Sequence, residues 1–269
     1  MPQPLYDHLS NIESLLRVSE RVLLFLDFDG TLAPIVEMPD QAVLPAKTRI
    51  LLDRLSQTSW CSVVIVSGRA LGDIRERVGL AKLTYAGNHG LELCGDGLRF
   101  VEPESVQRIK MLGELSRRLR ERLRNIPGVE IENKVLTVSV HFRRAQKDSV
   151  DEIRKAVSAE LAFSDGIFRV TPGLQVFEIR PHVDWNKGSA VRWIQEARGT
   201  ANTLSFYLGD DSTDEDAFRA LPDGITIRVG QVKGTTARYY LPEQSWVMHF
   251  LAWLVEGDGM QRREARRLG

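Results

Sequence analysis

The chain has 269 residues, 43% of them hydrophobic, and its 36 lysines and arginines balance 36 acidic residues. That composition supplies a sizeable core and excludes global disorder, while zero formal net charge offers no general field for nucleic acid or an acidic membrane surface. Two cysteines, Cys61 and Cys94, make neither a disulfide scaffold nor a zinc spacing, and with no signal segment and no apolar stretch near the ~20 residues of a membrane helix the sequence reads as cytoplasmic, with no membrane partner.

The first strong element is the apolar run Val22 to Leu26, read as a buried strand that ends in Asp27-Phe28-Asp29-Gly30-Thr31. Burying two carboxylates without partners costs several kcal/mol, so Asp27 and Asp29 belong at the open end of the strand. A helical pattern over Thr48 to Ser56 leads to a second strand, Ser62 to Val66, which ends in Ser67-Gly68-Arg69.

The middle of the chain reads differently. Ile109, Leu112, Leu115, Leu119 and Leu123 recur at threes and fours and mark an amphipathic helix whose other face carries an arginine run. Leu136, Val138, Val140 and Phe142 alternate with Thr137, Ser139, His141 and Arg143, the period of a half-exposed strand. A helix over Asp148 to Ala162 follows. Phe168 to Thr171 and Gln175 to Ile179 then form the arms of a hairpin expected to turn at Pro172-Gly173.

Beyond Pro181 the first pattern returns: a helix from Lys187 to Ala197, a strand from Leu204 to Leu208 ending in Gly209-Asp210-Asp211, a helix from Glu215 to Ala220, and a strand from Ile225 to Val229. Apolar strands alternating with helices predict a parallel sheet covered on both faces, interrupted by a small α+β unit between the punctuating Pro103 and Pro181. The terminal Arg262, Arg263, Arg266 and Arg267 read as a solvated helix end.

Parallel strands put their carboxyl ends on one sheet edge, where open α/β sheets bind ligands. Asp27, Asp29, Asp210, Asp211 and Asp214 would then crowd together and raise one another's pKa values. A hard divalent cation relieves this, and an all-oxygen site suits Mg²⁺. Singly, each Asp after a strand could be a cap or turn residue; Asp210, Asp211 and Asp214 together are too many for that. Lys187, opening a helix just before the third of these strands, could neutralise a carboxylate and grip a phosphate.

Asp27-Phe28-Asp29-Gly30-Thr31, Ser67, Lys187 and Gly209-Asp210-Asp211 resemble, in order, the four motifs of the haloacid dehalogenase superfamily. Val66-Ser67-Gly68-Arg69, Gly87-Asn88-His89-Gly90-Leu91-Glu92, Glu178-Ile179-Arg180-Pro181 through Asn186-Lys187-Gly188, and the run from Gly209 to Phe218 are similar to the trehalose-6-phosphate phosphatase family within it. The resemblance implies a Rossmann-like parallel-sheet core at 1–103 and 181–269, with an inserted α+β cap at 104–180 that sets specificity.

It also implies a mechanism. Asp27 attacks phosphorus to form an aspartyl-phosphate, and Asp29 protonates the leaving sugar oxygen before accepting a proton from water. Ser67 and Lys187 hold the phosphoryl oxygens. Mg²⁺ binds Asp27 and Asp210 by side chains, Asp29 through its carbonyl, and Asp214, with Asp211, through water. Arg69 and His89 in the core, and Glu132, Lys134, His141, Arg143 and Glu178 in the cap, are the candidate sugar-phosphate contacts. An ordinary solvated sheet face and a structural histidine are the alternatives for the cap set and for His89.

The implied reaction is Mg²⁺-dependent hydrolysis of trehalose 6-phosphate by a monomer, functionally coupled to a trehalose-6-phosphate synthase. One departure keeps the sugar open: Leu174-Gln175 stands where the family usually has a basic residue. Sucrose phosphate and glucosylglycerol phosphate are the alternatives with the same chemistry, and a phosphomutase or a non-catalytic binding module the alternatives without it.

Overall fold

The structure, a computed structural model, describes residues 1–173 and 175–256; the arginines at 262, 263, 266 and 267 and the residue at 174 lie outside the described residues. The chain divides into two compact units, Met1–Phe100 with the segment from Trp185 onward, and Val101–Asp184.

In chain order the larger unit begins with β1 (Gln3–Pro4), α1 (Leu9–Val18), β2 (Arg21–Leu26), α2 (Ala46–Ser56), β3 (Cys61–Val66), α3 (Leu71–Val78), β4 (Thr84–Gly87), β5 (Glu92–Gly95) and β6 (Leu98–Val101). The smaller unit follows with α4 (Pro103–Gln107), α5 (Ile109–Leu123), β7 (Glu130–Asn133), β8 (Val138–His141), α6 (Val150–Ala162), β9 (Phe168–Gly173) and β10 (Val176–Pro181). The larger unit resumes with α7 (Lys187–Arg198), β11 (Thr203–Gly209), α8 (Asp214–Ala220), β12 (Ile225–Val229), β13 (Tyr239–Leu241) and α9 (Ser245–Glu256).

Nine strands of the larger unit form one sheet, ordered β1-β13-β12-β11-β2-β3-β4-β5-β6. Every pair from β1 to β4 is parallel, and β5 joins β4 antiparallel. The unbroken apolar run of β2 follows from burial on both faces. Leu24 and Leu26 pack with Phe206, Ile65 and residues of α1, α2, α3 and α9. Leu23 and Phe25 pack on the opposite face with Val64, Tyr207 and residues of α7 and α8. The expected two-faced parallel core is therefore present.

The smaller unit is a four-stranded sheet ordered β7-β8-β10-β9, antiparallel throughout. Its apolar face, with Val138, Val140, Phe177 and Ile179, packs on Leu112, Leu115 and Leu119 of α5 and Ile153 and Val157 of α6. The hairpin differs from expectation. Pro172 and Gly173 lie in β9, paired with Phe177 and Val176, and Gln175 has a φ of 60° between the strands. Because β9 is an edge strand, Pro172 can occupy it without an amide hydrogen to donate.

The strand read as Leu136 to Arg143 is also shorter than expected, since Ala145 N–H donates to the Phe142 carbonyl and turns the chain. Nor is its polar side a solvated one: Thr137 and Ser139 are fully buried. Among the described residues no helix is long and apolar enough to cross a membrane.

Candidate active site

Register brings the strand ends together. Leu208 of β11 pairs with Leu26 of β2, and the Asp27 N–H donates to the Leu208 carbonyl at 2.9 Å, so Asp27 and the Gly209-Asp210 segment emerge side by side. Two glycines permit the crowding. A Cβ on Gly30, whose φ is +81°, would collide with the Asp210 carboxylate, and one on Gly209 would collide with Asp214. The glycines of the first and fourth motifs thus make room for carboxylates.

Asn186 caps α7 by accepting from the Ser189 N–H, and Lys187 enters the core from this first turn. Its side chain is 3% exposed. Nζ donates to Asp27 Oδ1 at 2.7 Å and to Asp214 Oδ1 at 2.6 Å. Asp214 is fully buried and also accepts from the Tyr207 hydroxyl at 2.7 Å and from the Asp211 N–H at 2.9 Å. Thr31 Oγ1 donates to Asp210 Oδ1 at 3.2 Å. Tyr207 is a site residue that sequence reasoning missed. It sits inside the apolar run of β11, and only a phenol pointing at the strand end would have betrayed it.

One carboxylate oxygen from each of Asp27, Asp210 and Asp214 lies within 4.8 Å of the others. Burial, together with Asp214 and Asp210, drives the Asp27 carboxyl well above its ordinary value despite Lys187. Burial and the charge of Asp214 push Asp210 up to about 7. Burial opposes the charge of Lys187, but Asp214 and Asp27 outweigh it and raise its pKa. One ammonium thus serves three carboxylates. The donors are all oxygen, and the excess negative charge fits a hard divalent cation. This cluster could hold a metal ion.

The remaining core candidates are placed as follows. Asp211 turns its carboxylate to Ser212, capping the N–H at 2.6 Å, and its N–H rather than its side chain meets Asp214. Ser67 is fully buried, its Oγ accepting from the Arg69 N–H at 3.1 Å. Asp29 directs its carboxylate to Arg69, which grips it with Nε and Nη2, both at 2.7 Å. His89, with a φ of 58°, lies over Gly68, where a Cβ would strike the imidazole, and its N–H donates to the Ser67 carbonyl at 2.9 Å. Glu92 braces the same loop by accepting from the Leu71 N–H and Asn88 Nδ2.

Within the smaller unit, Glu132, Ser139, His141 and Glu178 share the sheet face opposite the helices, as the pairing register requires. Lys134 Nζ donates to Glu178 Oε1 at 3.0 Å and Oε2 at 3.3 Å, and Ser139 Oγ donates to Glu178 Oε2 at 2.6 Å. His141 Nε2 is 3.0 Å from Glu132 Oε2. Burial opposes the charge on Glu132, but the hydrogen bond from His141 and the charge of Lys134 hold its carboxyl below the usual value. Arg143 lies past the end of β8 and does not join that face through the strand. Ser139 was missed as a partner, although its alternation with His141 placed it there.

Residues 25–245 match the family described as trehalose-phosphatase. The chain is 43% identical over 214 residues to the trehalose-phosphate phosphatase of Mycobacterium marinum, covering 78% of this chain and 54% of that protein. It is 36% identical over 274 residues to the probable trehalose-phosphate phosphatase I of Arabidopsis thaliana, covering 95% of this chain and 73% of that protein. A solved trehalose-6-phosphate phosphatase related protein superposes with a TM-score of 0.79 at 26% identity, covering 89% of this chain and 99% of that one. The chain thus spans about half the length of the Mycobacterium marinum relative.

Proposed function

The chain belongs to the trehalose-phosphatase family, and from that premise we propose that it hydrolyses trehalose 6-phosphate to trehalose and phosphate through an aspartyl-phosphate on Asp27. The observation that carries this reading is the Lys187 ammonium held between Asp27 and Asp214, with Asp210 alongside. Lys187 opposes the burial that raises the Asp27 pKa and, through its hydrogen bond to Oδ1, aims the carboxylate, as a nucleophile needs.

An Asp27 oxygen forms a bond to phosphorus as the bond to the sugar oxygen breaks. Asp29 gives its proton to that leaving alkoxide. A water then attacks the phosphoryl group, loses its proton to Asp29, and frees Asp27 and inorganic phosphate. Ser67 and Lys187 stabilise the charge on the transferring oxygens. Asp27, Asp210 and Asp214, with the Asp29 carbonyl and Asp211, are the proposed holders of Mg²⁺, which when bound supplies neutralisation of the phosphoryl charge.

The proposed sugar-phosphate contacts are Glu132, Lys134, His141, Arg143 and Glu178 in the smaller unit and, in the larger unit, His89 and Arg69. We assign residues 1–103 and 181–269 to catalysis and 104–180 to specificity. A cytoplasmic monomer working after a trehalose-6-phosphate synthase completes the reading, the buried Cys61 and half-buried Cys94 fitting a reducing compartment.

Phosphate release from a panel of mono- and disaccharide phosphates, with Mg²⁺ and with chelator, tests the reading. It requires trehalose 6-phosphate to be the preferred substrate and the chelator to stop turnover. Preference for sucrose phosphate would reassign the sugar, and an isomerised sugar phosphate in place of free phosphate would reassign the reaction.

A further inference from the structure

Arg69 does more than meet Asp29. Its Nη1 donates to Asp73 Oδ2 at 3.0 Å, Nη2 also donates to the Pro39 carbonyl at 2.7 Å, and the guanidinium lies 5.5 Å from the centre of the Phe28 ring. Asp73, in the first turn of α3, is shared. It accepts from Arg77 Nε at 2.8 Å on both oxygens, and Arg77 Nη1 donates to the carbonyls of Asp40 at 3.0 Å and Ala42 at 2.8 Å. Two guanidiniums, both tied to the segment 39–42, therefore meet on one carboxylate.

A two-point fork fixes the plane of a carboxylate. A carboxylate has about four lone-pair sites, so the fork leaves others open to a proton. The Asp29 side chain is 43% exposed and does not owe its orientation to packing. Arg69 supplies the orientation, and a long arginine side chain is itself fixed only by what holds its far end.

We infer that Asp73 is a positioning residue for the reaction, acting through Arg69 to aim the Asp29 carboxylate at the leaving oxygen. The inference rests on the reading of Asp29 as the proton donor. Burial opposes the Asp73 charge, but the hydrogen bonds from Arg77 and Arg69 outweigh it and hold the carboxyl below its usual range, which keeps the link ionic. Neither the acid-motif spacing nor the helix-capping pattern singles out Asp73, which lies on a different element from Asp29.

The test uses leaving groups. A sugar alkoxide needs a proton to depart, whereas p-nitrophenolate departs without one. Steady-state kcat and KM for trehalose 6-phosphate, and the pre-steady-state burst of p-nitrophenolate, are measured for the full chain and for Asp73→Asn. The sugar-phosphate kcat is expected to fall about tenfold, the scale of a small misplacement of a reacting group, with KM and the burst rate unchanged.

Equal losses on both substrates would make Asp73 merely structural and overturn the inference. So would a change confined to KM, unchanged kcat, or a faster enzyme. Arg77→Gln, which leaves Asp73 paired with Arg69 alone, should give the same split at smaller size and carries the test should Asp73→Asn fail to fold. Asp29→Asn separates the two levels. If it keeps sugar-phosphate turnover, the proton-donor reading fails; if it shows the leaving-group split and the Asp73 and Arg77 variants do not, only the relay fails.

Discussion

Each unit of the molecule holds a lysine among carboxylates, and the two clusters are balanced differently. In the larger unit Lys187 pairs with Asp27 and Asp214, with Asp210 alongside, and the carboxyls of Asp27 and Asp210 are driven upward by burial and mutual repulsion. In the smaller unit Lys134 faces Glu178, and His141 stands against Glu132, whose carboxyl is held down by those neighbours. The first cluster has more carboxylates than its ammonium can neutralise, so it could hold a cation. In the second, Glu178 and Glu132 each face a basic partner, which fits the proposed exchange of hydrogen bonds with a neutral hydroxyl-bearing ligand.

The strongest attack on this contrast is at the nucleophile. Asp27→Asn should reduce phosphate release about 10⁴-fold or more, the scale seen when a nucleophile is removed, with an unchanged circular dichroism spectrum. Retained turnover would show that the excess charge serves something other than phosphoryl transfer. Lys187→Met comes next. It leaves three carboxylates near one another with no internal counter-charge, and breaking a buried pair in this way costs about 3–5 kcal/mol. Denaturant unfolding in chelator at neutral pH should show that loss, and Mg²⁺ should restore part of it by binding the folded state.

Proton linkage gives a subtler test. Asp210 in the folded protein is pushed up to about 7 from an ordinary value of 3.8. Between those values the folded state binds the extra proton, so stability is fully present below about pH 4 and is lost as pH rises through about 7. In chelator, wild-type stability should fall over this window more steeply than that of Asp210→Asn. Identical slopes would mean that the carboxylate is not under charge stress.

The larger unit was more legible than the smaller. Strand ends in parallel sheets carry ligands by topology, so Asp27, Ser67 and Asp210 could be placed from apolar runs and their polar stops alone. What escaped was whatever the apolar pattern disguised: Tyr207 counts as core in hydropathy although its hydroxyl serves Asp214. In the smaller unit, alternation gave the correct face for His141 and Glu178 but not its state. Period two cannot tell a solvated polar face from one sealed by its own ion pair, and Ser139 is fully buried. The hairpin turn was displaced because Pro-Gly is a strong turn signal that an edge strand can also accommodate.

The mildest perturbation probes the independence of the two clusters. Glu178 accepts from Lys134 and from Ser139. Glu178→Gln keeps one acceptor oxygen but turns an amide toward one of those donors, leaving a buried donor unsatisfied at a cost of about 1–3 kcal/mol. The loss should appear in thermal unfolding, together with a raised KM for the sugar phosphate. Mg²⁺ affinity measured by titration calorimetry should not move, because the candidate cation cluster is Asp27, Asp210 and Asp214 and does not draw on Glu178. A weakened Mg²⁺ affinity would instead mean that the charge on Glu178 contributes to the cation site, and the contrast between a cation-seeking cluster and a self-satisfied one would fail.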